Sequence, residues 1–299
     1  NNNYYNTPLG IKNLANLRIK FDCDILFKNV NPISVKKITR FTLQNFGNVY
    51  WQSIAGQTVY PVQTAVNYKI PLIIWGAHQG IEQVGMFSHL HEVEMTRRYR
   101  KDHDLMGYEA EDLKSIANTN LLNEEDIFQY IYPSDEQINS VGVVGIYLGN
   151  FFRWDPKKQH ELMIKKFGYK TAKFNRTFDC YDFVDSYVYM ELHDLLKLYK
   201  HGYSKVTDHA CREIRHKRIS RSQGIDLVKK HEFKAIKYLD LFGQWLGIDN
   251  KSLDYVLNRN RNRDYWYEKE PNIWNFRGLS IYLKKTKDPG ITKKDLKFI

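Results

Sequence analysis

The sequence predicts an α/β fold in residues 1–150 and a mainly α-helical region in residues 151–299. Two short apolar runs, at residues 70–75 and 141–148, are typical of strands. A helical pattern precedes the first run and a glycine follows it, which is the order of elements in a parallel α/β sheet. Beyond the second run the pattern becomes helical. At 299 residues and 42% hydrophobic content, the chain is long enough for two modest cores.

The first half contains the helices and strands of this predicted sheet. A helical pattern begins at Pro8, and Asn31 with Pro32 starts a second helix that Gly47 ends. The other predicted elements are a helix over residues 58–69, a buried strand over 72–75, a helical stretch over 112–132 with Asn123 capping its second part, and a strand over 141–148.

The second half contains the start and stop signals of several helices. Asp155 and Pro156 begin one that Gly168 ends, and a helix from Ser186 stops before Gly202. The remaining predicted helices are one capped by Thr207 and running to 217, one with a Ser220–Gln223 capping box and running to 231, and two over residues 239–246 and 253–258.

Composition excludes several classes of protein. No apolar run approaches the roughly 18 to 20 residues that a membrane-spanning helix needs, and the first six residues lack signal-peptide features. Three distant cysteines without C-x-x-C spacing indicate neither a disulfide framework nor a zinc cluster, so we expect a reducing cytoplasm. The net charge of +11 suits an anionic ligand such as ATP, an acidic sugar or nucleic acid. Charge alone indicates no specificity for nucleic acid, so we favour ATP or acidic sugars.

The first candidate site follows the first predicted strand directly. Gly76 permits close approach of a nucleotide to the backbone, at the strand end where open α/β sheets bind ligands. His78, Gln79 and Glu82 are candidates for binding the acceptor substrate. The alternative is a flexible turn with solvated polar side chains.

The second candidate site lies in residues 202–215. On a helix, Asp208, Arg212 and Arg215 fall at positions i, i+4 and i+7, an arrangement that suits an anionic ligand. His209 lies on the neighbouring stripe. The alternative is an ordinary ladder of ion pairs on a solvated face.

Histidines are frequent in residues 78–103, but their spacing does not indicate a metal site. His89 and His91 do not form the H-E-x-x-H pattern that places two ligands on one helical turn. No metal-ligating residues are therefore predicted.

Several segments resemble the N-acetyl sugar amidotransferases of lipopolysaccharide and flagellin-glycan biosynthesis, which are members of the PP-loop ATP pyrophosphatase superfamily. The most specific block is Gly202–Arg215 followed by Ile219, Ser220 and Arg221. The other segments that carry the resemblance are Asn2–Leu17, Phe21–Asp24, Asn31–Arg40, Pro71–Gly85 and Phe178–Tyr181.

The resemblance implies a Rossmann-like ATP-binding domain in residues 1–150 and an adenylation reaction that uses ATP and Mg²⁺. Ammonia from a separate glutaminase subunit would then displace AMP and leave an acetamidino group on the sugar. Asp208, His209 and Arg212 would be catalytic, Gly76 would contact the nucleotide, and His78, Gln79, Glu82 and Arg215 would bind the sugar. The Ser-Gly-Gly-x-Asp-Ser phosphate loop of such enzymes would precede Asn1, so we expect a sheet that is incomplete at its N-terminal side and a truncated enzyme without the loop that productive ATP binding needs.

Two other functions stay open at the level of the sequence. Another PP-loop adenylating enzyme, such as a tRNA thiolase, would use the net charge of +11 for RNA binding. A non-catalytic scaffold that docks a glutaminase would need no nucleotide site.

Overall fold

A computed structural model describes residues 7–77, 94–116 and 121–278 of the chain. The helices, in chain order, are α1 (Pro8–Phe21), α2 (Pro32–Phe46), α3 (Trp51–Tyr68), α4 (Arg97–Tyr99), α5 (Ala110–Ile116), α6 (Glu124–Ile127), α7 (Asp135–Val141), α8 (Pro156–Phe167), α9 (Tyr187–His201), α10 (Lys205–Arg215), α11 (Arg221–His231), α12 (Leu239–Leu246) and α13 (Asn250–Arg259). The strands are β1 (Leu72–Trp75), β2 (Val144–Tyr147), β3 (Trp266–Glu270) and β4 (Ile273–Phe276). A π-helical turn, Arg100–Asp104, continues α4.

The described residues form a mixed α/β structure with a two-stranded parallel sheet. β1 pairs with β2 from Leu72 opposite Val144 to Trp75 opposite Tyr147. The prediction of parallel strands near these positions is confirmed. The pairing of two strands does not test whether the fold is a Rossmann-like PP-loop fold, so that assignment stays a prediction.

The prediction that the first strand is buried is wrong. Leu72 is 48% exposed and Ile74 is 55% exposed, whereas Ile73 packs on Val59 and Val62 of α3. A parallel strand is buried on both faces only when helices cover both. Within residues 7–77, 94–116 and 121–278, helix α3 covers the face of the strand that carries Ile73.

The main apolar core includes residues from both halves of the chain. Leu43 and Tyr50, from the α2–α3 region, share one cluster with Tyr189 of α9 and Phe242 of α12. A second cluster lies among α2, α3 and the 105–130 segment. The two halves therefore pack on each other, and the division at residue 150 stays a prediction.

Local capping signals predicted most helix ends. Asn31 caps α2 through Ile33 N, Gly47 ends α2 with a φ of 57°, and the Ser220–Gln223 capping box starts α11. The Asp155 cap of α8 is also confirmed. Such ends depend on a few adjacent residues, so the sequence alone determines them.

Helix starts that depend on tertiary contacts were predicted wrongly. α3 begins at Trp51, not at residue 58, because the fully buried Trp51 donates a hydrogen bond to the Tyr108 carbonyl at 2.9 Å. α10 begins at Lys205, not after Thr207, because Asp194 of α9 accepts a hydrogen bond from Lys205 N. Neither contact leaves a sign in the adjacent sequence.

Two further differences concern the last third of the chain. α13 begins at Asn250, where Asp249 accepts a hydrogen bond from Ser252 N at 3.0 Å, rather than at residue 253. The antiparallel hairpin of β3 and β4 was not predicted. No described helix has both the length and the apolarity that a membrane span requires.

The π-helical turn is fixed by a buried arginine. Arg100 is 1% exposed, and its guanidinium contacts Glu109 at 3.1 Å and Thr58 Oγ1 at 2.9 Å. Leu105, at the other end of the turn, is fully buried and donates its N–H to the Arg100 carbonyl. The residues between them are therefore held at both ends.

We predict that Arg100→Ala lowers the free energy of unfolding by about 3 kcal/mol, because it removes a buried guanidinium with its hydrogen bonds to Glu109 and Thr58 and leaves a cavity. Arg98→Ala is the matched control, since the Arg98 side chain is 80% exposed, and a change within about 0.5 kcal/mol is expected. Urea unfolding measures both values. Equal stability of the two variants would contradict the structural role of Arg100.

Candidate functional site

A cavity of about 740 Å³ lies between the two halves of the chain. This volume is within the range of small-molecule sites. Its walls come from residues 47–54, the end of the π-helical turn, the segment 174–183, α9, and the start of α10. The charged and histidine residues of the wall are His103, Asp104, Arg176, Asp179, Asp182, Glu191, His193, Asp194, Lys197, Lys200, His201, Lys205, Asp208 and His209.

α10 is held at its first turn by a buried ion pair. Asp194 accepts a hydrogen bond from Lys205 N and contacts Arg176 Nε at 2.7 Å, and both charged side chains are at least nine-tenths buried. Arg176 also donates to the Lys234 carbonyl at 2.8 Å, beyond α11. This pair ties α10 to α9 and fixes which residues of α10 face the cavity.

The middle of α10 is held by Arg212. Its guanidinium donates to Asp179, to Asp182 at 3.2 Å and to Glu213 at 3.2 Å. Arg218 continues this network from Glu213 to Asp155 at 2.9 Å. We call Asp179, Asp182, Arg212 and Glu213 the Arg212 cluster. It joins α10 to the 177–182 turn, in which Asp179 accepts hydrogen bonds from two backbone N–H groups at 3.0 Å.

His209 faces the same turn. Its Nδ1 lies 2.7 Å from Thr177 Oγ1, and its buried Nε2 lies 3.3 Å from Asp182 Oδ2. Burial of Asp182 would raise the pKa of its carboxyl. The contact with His209 and the charge of Arg212 outweigh burial and hold that pKa well below its usual range, so Asp182 is ionised.

Three side chains have the spacing of metal ligands. One ligand atom each from Asp179, Asp182 and His209 lies within 4.8 Å of the others. Arg212, however, donates to both carboxylates and offsets part of their charge. A metal ion bound by these carboxylates would have to displace the Arg212 guanidinium from both of them, so the residues as arranged do not fit Mg²⁺.

Basic side chains of α9 line the facing part of the cavity. His193, Lys197 and Lys200 lie at i, i+4 and i+7, and Lys197 pairs with Asp208 and lies 4.5 Å from the centre of the Tyr203 ring. Burial, together with the charges of nearby lysines, lowers the pKa of His193 to about 3. His193 is thus neutral, and the lysines carry the positive charge of this wall.

The predicted residues of α10 take two different positions. Asp208, His209 and Arg212 are buried near the cavity, with Asp208 and His209 in its wall. Asp208 pairs with Lys197 from α9, and Arg212 with Asp179 and Asp182, so these two are not members of a solvated ladder along α10. Arg215 is exposed and does not line the cavity. The roles of all four residues stay predictions.

The residues predicted for the first candidate site are only partly described. Gly76 is exposed at the end of β1, and a Cβ added there would meet no atom within 4 Å. His78, Gln79 and Glu82 lie outside the described residues.

The open backbone at Gly76 leaves room for a nucleotide, but the described residues next to it, Trp75, Ala77 and Tyr147, are not cationic. On the described residues alone, the fit to ATP phosphates is therefore incomplete.

Several residues of the site were not predicted. Asp182 and Lys197 belong to no motif. Asp179 lies in Phe178–Tyr181, one of the segments that carry the family resemblance, but no role was predicted for it. The helical spacing of His193, Lys197 and Lys200 was a usable signal, since it places three basic groups on one face of α9.

Residues 175–280 match the family model described as LPS biosynthesis protein WbpG-like, C-terminal domain. The matched region contains α9, α10 and the whole Arg212 cluster. No curated protein matches the chain significantly. The match supports the relation to lipopolysaccharide biosynthesis that the sequence resemblance indicated. It covers the part of the chain that forms most of the cavity wall.

We predict that Arg212→Ala lowers the free energy of unfolding by about 3–5 kcal/mol. The variant leaves Asp179 buried without its guanidinium partner, and the uncompensated charge is costly. Arg215→Ala removes an exposed arginine one turn along the same helix and should change stability by less than about 0.5 kcal/mol. Urea unfolding followed by circular dichroism compares them, and similar midpoints would show that the cluster does not hold α10.

A second prediction concerns Glu232, which is 2% exposed and lies beside Ser204, Arg176 and Asp194. Burial raises the pKa of Glu232 from 4.5 to about 7. The folded protein therefore keeps this proton after the unfolded chain has lost it. The stabilisation is complete below pH 4.5 and is lost as the pH rises towards 7, by about 3 kcal/mol.

Glu232→Gln removes this titration and keeps a polar side chain of the same size. The difference in unfolding free energy between wild type and variant, measured by urea titration from pH 4.5 to 7.5, should change in this window. A difference that is constant with pH would contradict the prediction.

Proposed function

We propose that the chain belongs to an amidotransferase that converts the N-acetyl group of a bacterial surface sugar into an acetamidino group, and that the cavity holds the acceptor sugar. The observation that carries this proposal is the position of the cavity. Asp208 and His209 lie in its wall, within the region that matches the LPS biosynthesis domain.

The chemistry of the wall suits a sugar that also carries an anionic group. A carboxylate such as Asp208 accepts hydrogen bonds from hydroxyls, while Lys197, Lys200 and Lys205 attract a phosphate or carboxylate. An RNA-binding surface would instead be a basic stripe without these acids. The mixed wall therefore favours a small polar ligand over tRNA.

Asp208 is proposed as the group that orients the sugar and accepts a proton from the incoming ammonia, with His209 beside it in the wall. Lys197 fixes the Asp208 carboxylate, and Thr177 fixes the His209 ring. Groups held by neighbours in this way are preorganised for a reaction. Arg212 is proposed to act through the position of α10.

The proposal includes activation of the amide oxygen by ATP with Mg²⁺. This step is supported only by the resemblance to the amidotransferase family. The described residues support the sugar-binding part of the reaction. Ammonia would come from a glutaminase subunit, and a cytoplasmic location follows from the supply of ATP and nucleotide-linked sugars.

The sugar site is tested with UDP-N-acetylglucosamine, an N-acetylated sugar with a diphosphate, by titration calorimetry. We expect binding by the chain and at least about a tenfold weaker Kd in Asp208→Asn, which loses the charge facing the cavity. Asp226→Asn, an exposed position on α11, is the control and should bind as wild type.

Transfer RNA is titrated under the same conditions at low and high salt. Salt-sensitive binding of tRNA without binding of the nucleotide sugar would replace the amidotransferase with an RNA-modifying enzyme. Binding of neither ligand would remove the support for a catalytic cavity and favour a scaffold.

A further inference from the structure

The π-helical turn places two polar side chains in the cavity wall from the first half of the chain. His103 and Asp104 both line the cavity, on an element outside the region that matches the family model. A π-helical turn is rare and occurs frequently at functional sites. Two residues beyond it, Met106 adopts a φ of 56°, which is unusual for a residue other than glycine.

The wide turn changes which residues face the cavity. Compared with an α-helix, the extra residue rotates the following side chains by roughly 100° about the axis. Asp102, on the same turn, lies near Arg98 at 3.7 Å and is not part of the cavity wall. The buried ends of the turn, Arg100 and Leu105, hold this arrangement in place.

The same turn lies next to the carboxyl end of the parallel sheet. The rings of Trp75 and Tyr147, the last residues of β1 and β2, lie 6.4 Å apart, and the Tyr147 ring lies 6.4 Å from that of Tyr99. Tyr99 in turn contacts His103 with ring centres 4.7 Å apart. Burial and the charge of Asp104 raise the pKa of Tyr147.

We propose that His103 and Asp104 contact the acetamido end of a sugar held in the cavity. His103 lies on the side of the cavity that leads through Tyr99 to the sheet, and Lys197 and Lys200 of α9 also line the cavity and can attract an anionic group of the ligand. The Asp104 carboxylate can accept the acetamido N–H, and the His103 ring can bond to the carbonyl oxygen. This assignment rests on the proposed function, since it takes the cavity to be the sugar site.

The experiment compares two probes that differ at one group, UDP-N-acetylglucosamine and UDP-glucose, in titration calorimetry with the full chain. Asp104→Asn should weaken binding of the N-acetylated probe about fivefold to tenfold, as expected for loss of one charge-assisted hydrogen bond. Its binding of UDP-glucose should change less than twofold, because the acetamido N–H is absent. His103→Gln should shift the same ratio in the same direction.

Asp102→Asn is the matched control and should leave both dissociation constants within twofold of wild type. If Asp104→Asn and His103→Gln weaken the binding of both probes by the same factor, the two residues have a structural role and the inference is overturned. Wild-type binding in both variants, with binding lost in Asp208→Asn, would overturn the inference and leave the proposed function standing. Failure of the wild type to bind either probe would overturn both.

Discussion

The pairing of Arg212 with Asp179 and Asp182 is the interaction on which the candidate site depends. The apolar contribution of α10 to the core is small, because Val206 and Ala210 pack only with Val228 and Phe178 in their cluster. The other buried side chains of α10 are polar or charged. Burial of such a helix is favourable only if its charges are paired, since the cost of desolvating each ion is several kcal/mol.

This constraint explains why charged residues lie in the wall of the cavity. Four buried carboxylates near α10 have a basic partner, namely Asp179, Asp194, Asp208 and Glu213. Such pairs contribute little net stability relative to apolar contacts, but they define one geometry, because a shifted helix would leave several charges unpaired. The helix is therefore held in a single position, which is what a binding site for a polar ligand requires.

The sequence predicted several elements whose determining residues are neighbours in the chain, although the local Asp249 cap of α13 was missed. The caps of α2, α8 and α11 need only a few consecutive residues, and the apolar runs of β1 and β2 are visible by eye. The start of α10 depends instead on Asp194, and the start of α3 on Tyr108, which no local pattern reveals. The alternative of an ion-pair ladder along α10 is disfavoured for the same reason: Asp208 and Arg212 have the spacing of partners, yet each pairs with a residue from another element.

The position of the cavity follows from how the two halves pack. Tyr50 from the start of α3 and Tyr189 from α9 share one apolar cluster, so α9 lies against the α2–α3 connection. Lys200 of α9 donates to the Phe46 carbonyl at the end of α2, which further fixes this contact.

The π-helical turn follows β1 in the chain and contacts α3 through Arg100. It therefore lies where the sheet, the α2–α3 connection and the helical half meet. A ligand in the cavity is thus within reach of residues from both halves, and changes in their packing would alter its binding without any change in the residues of α10.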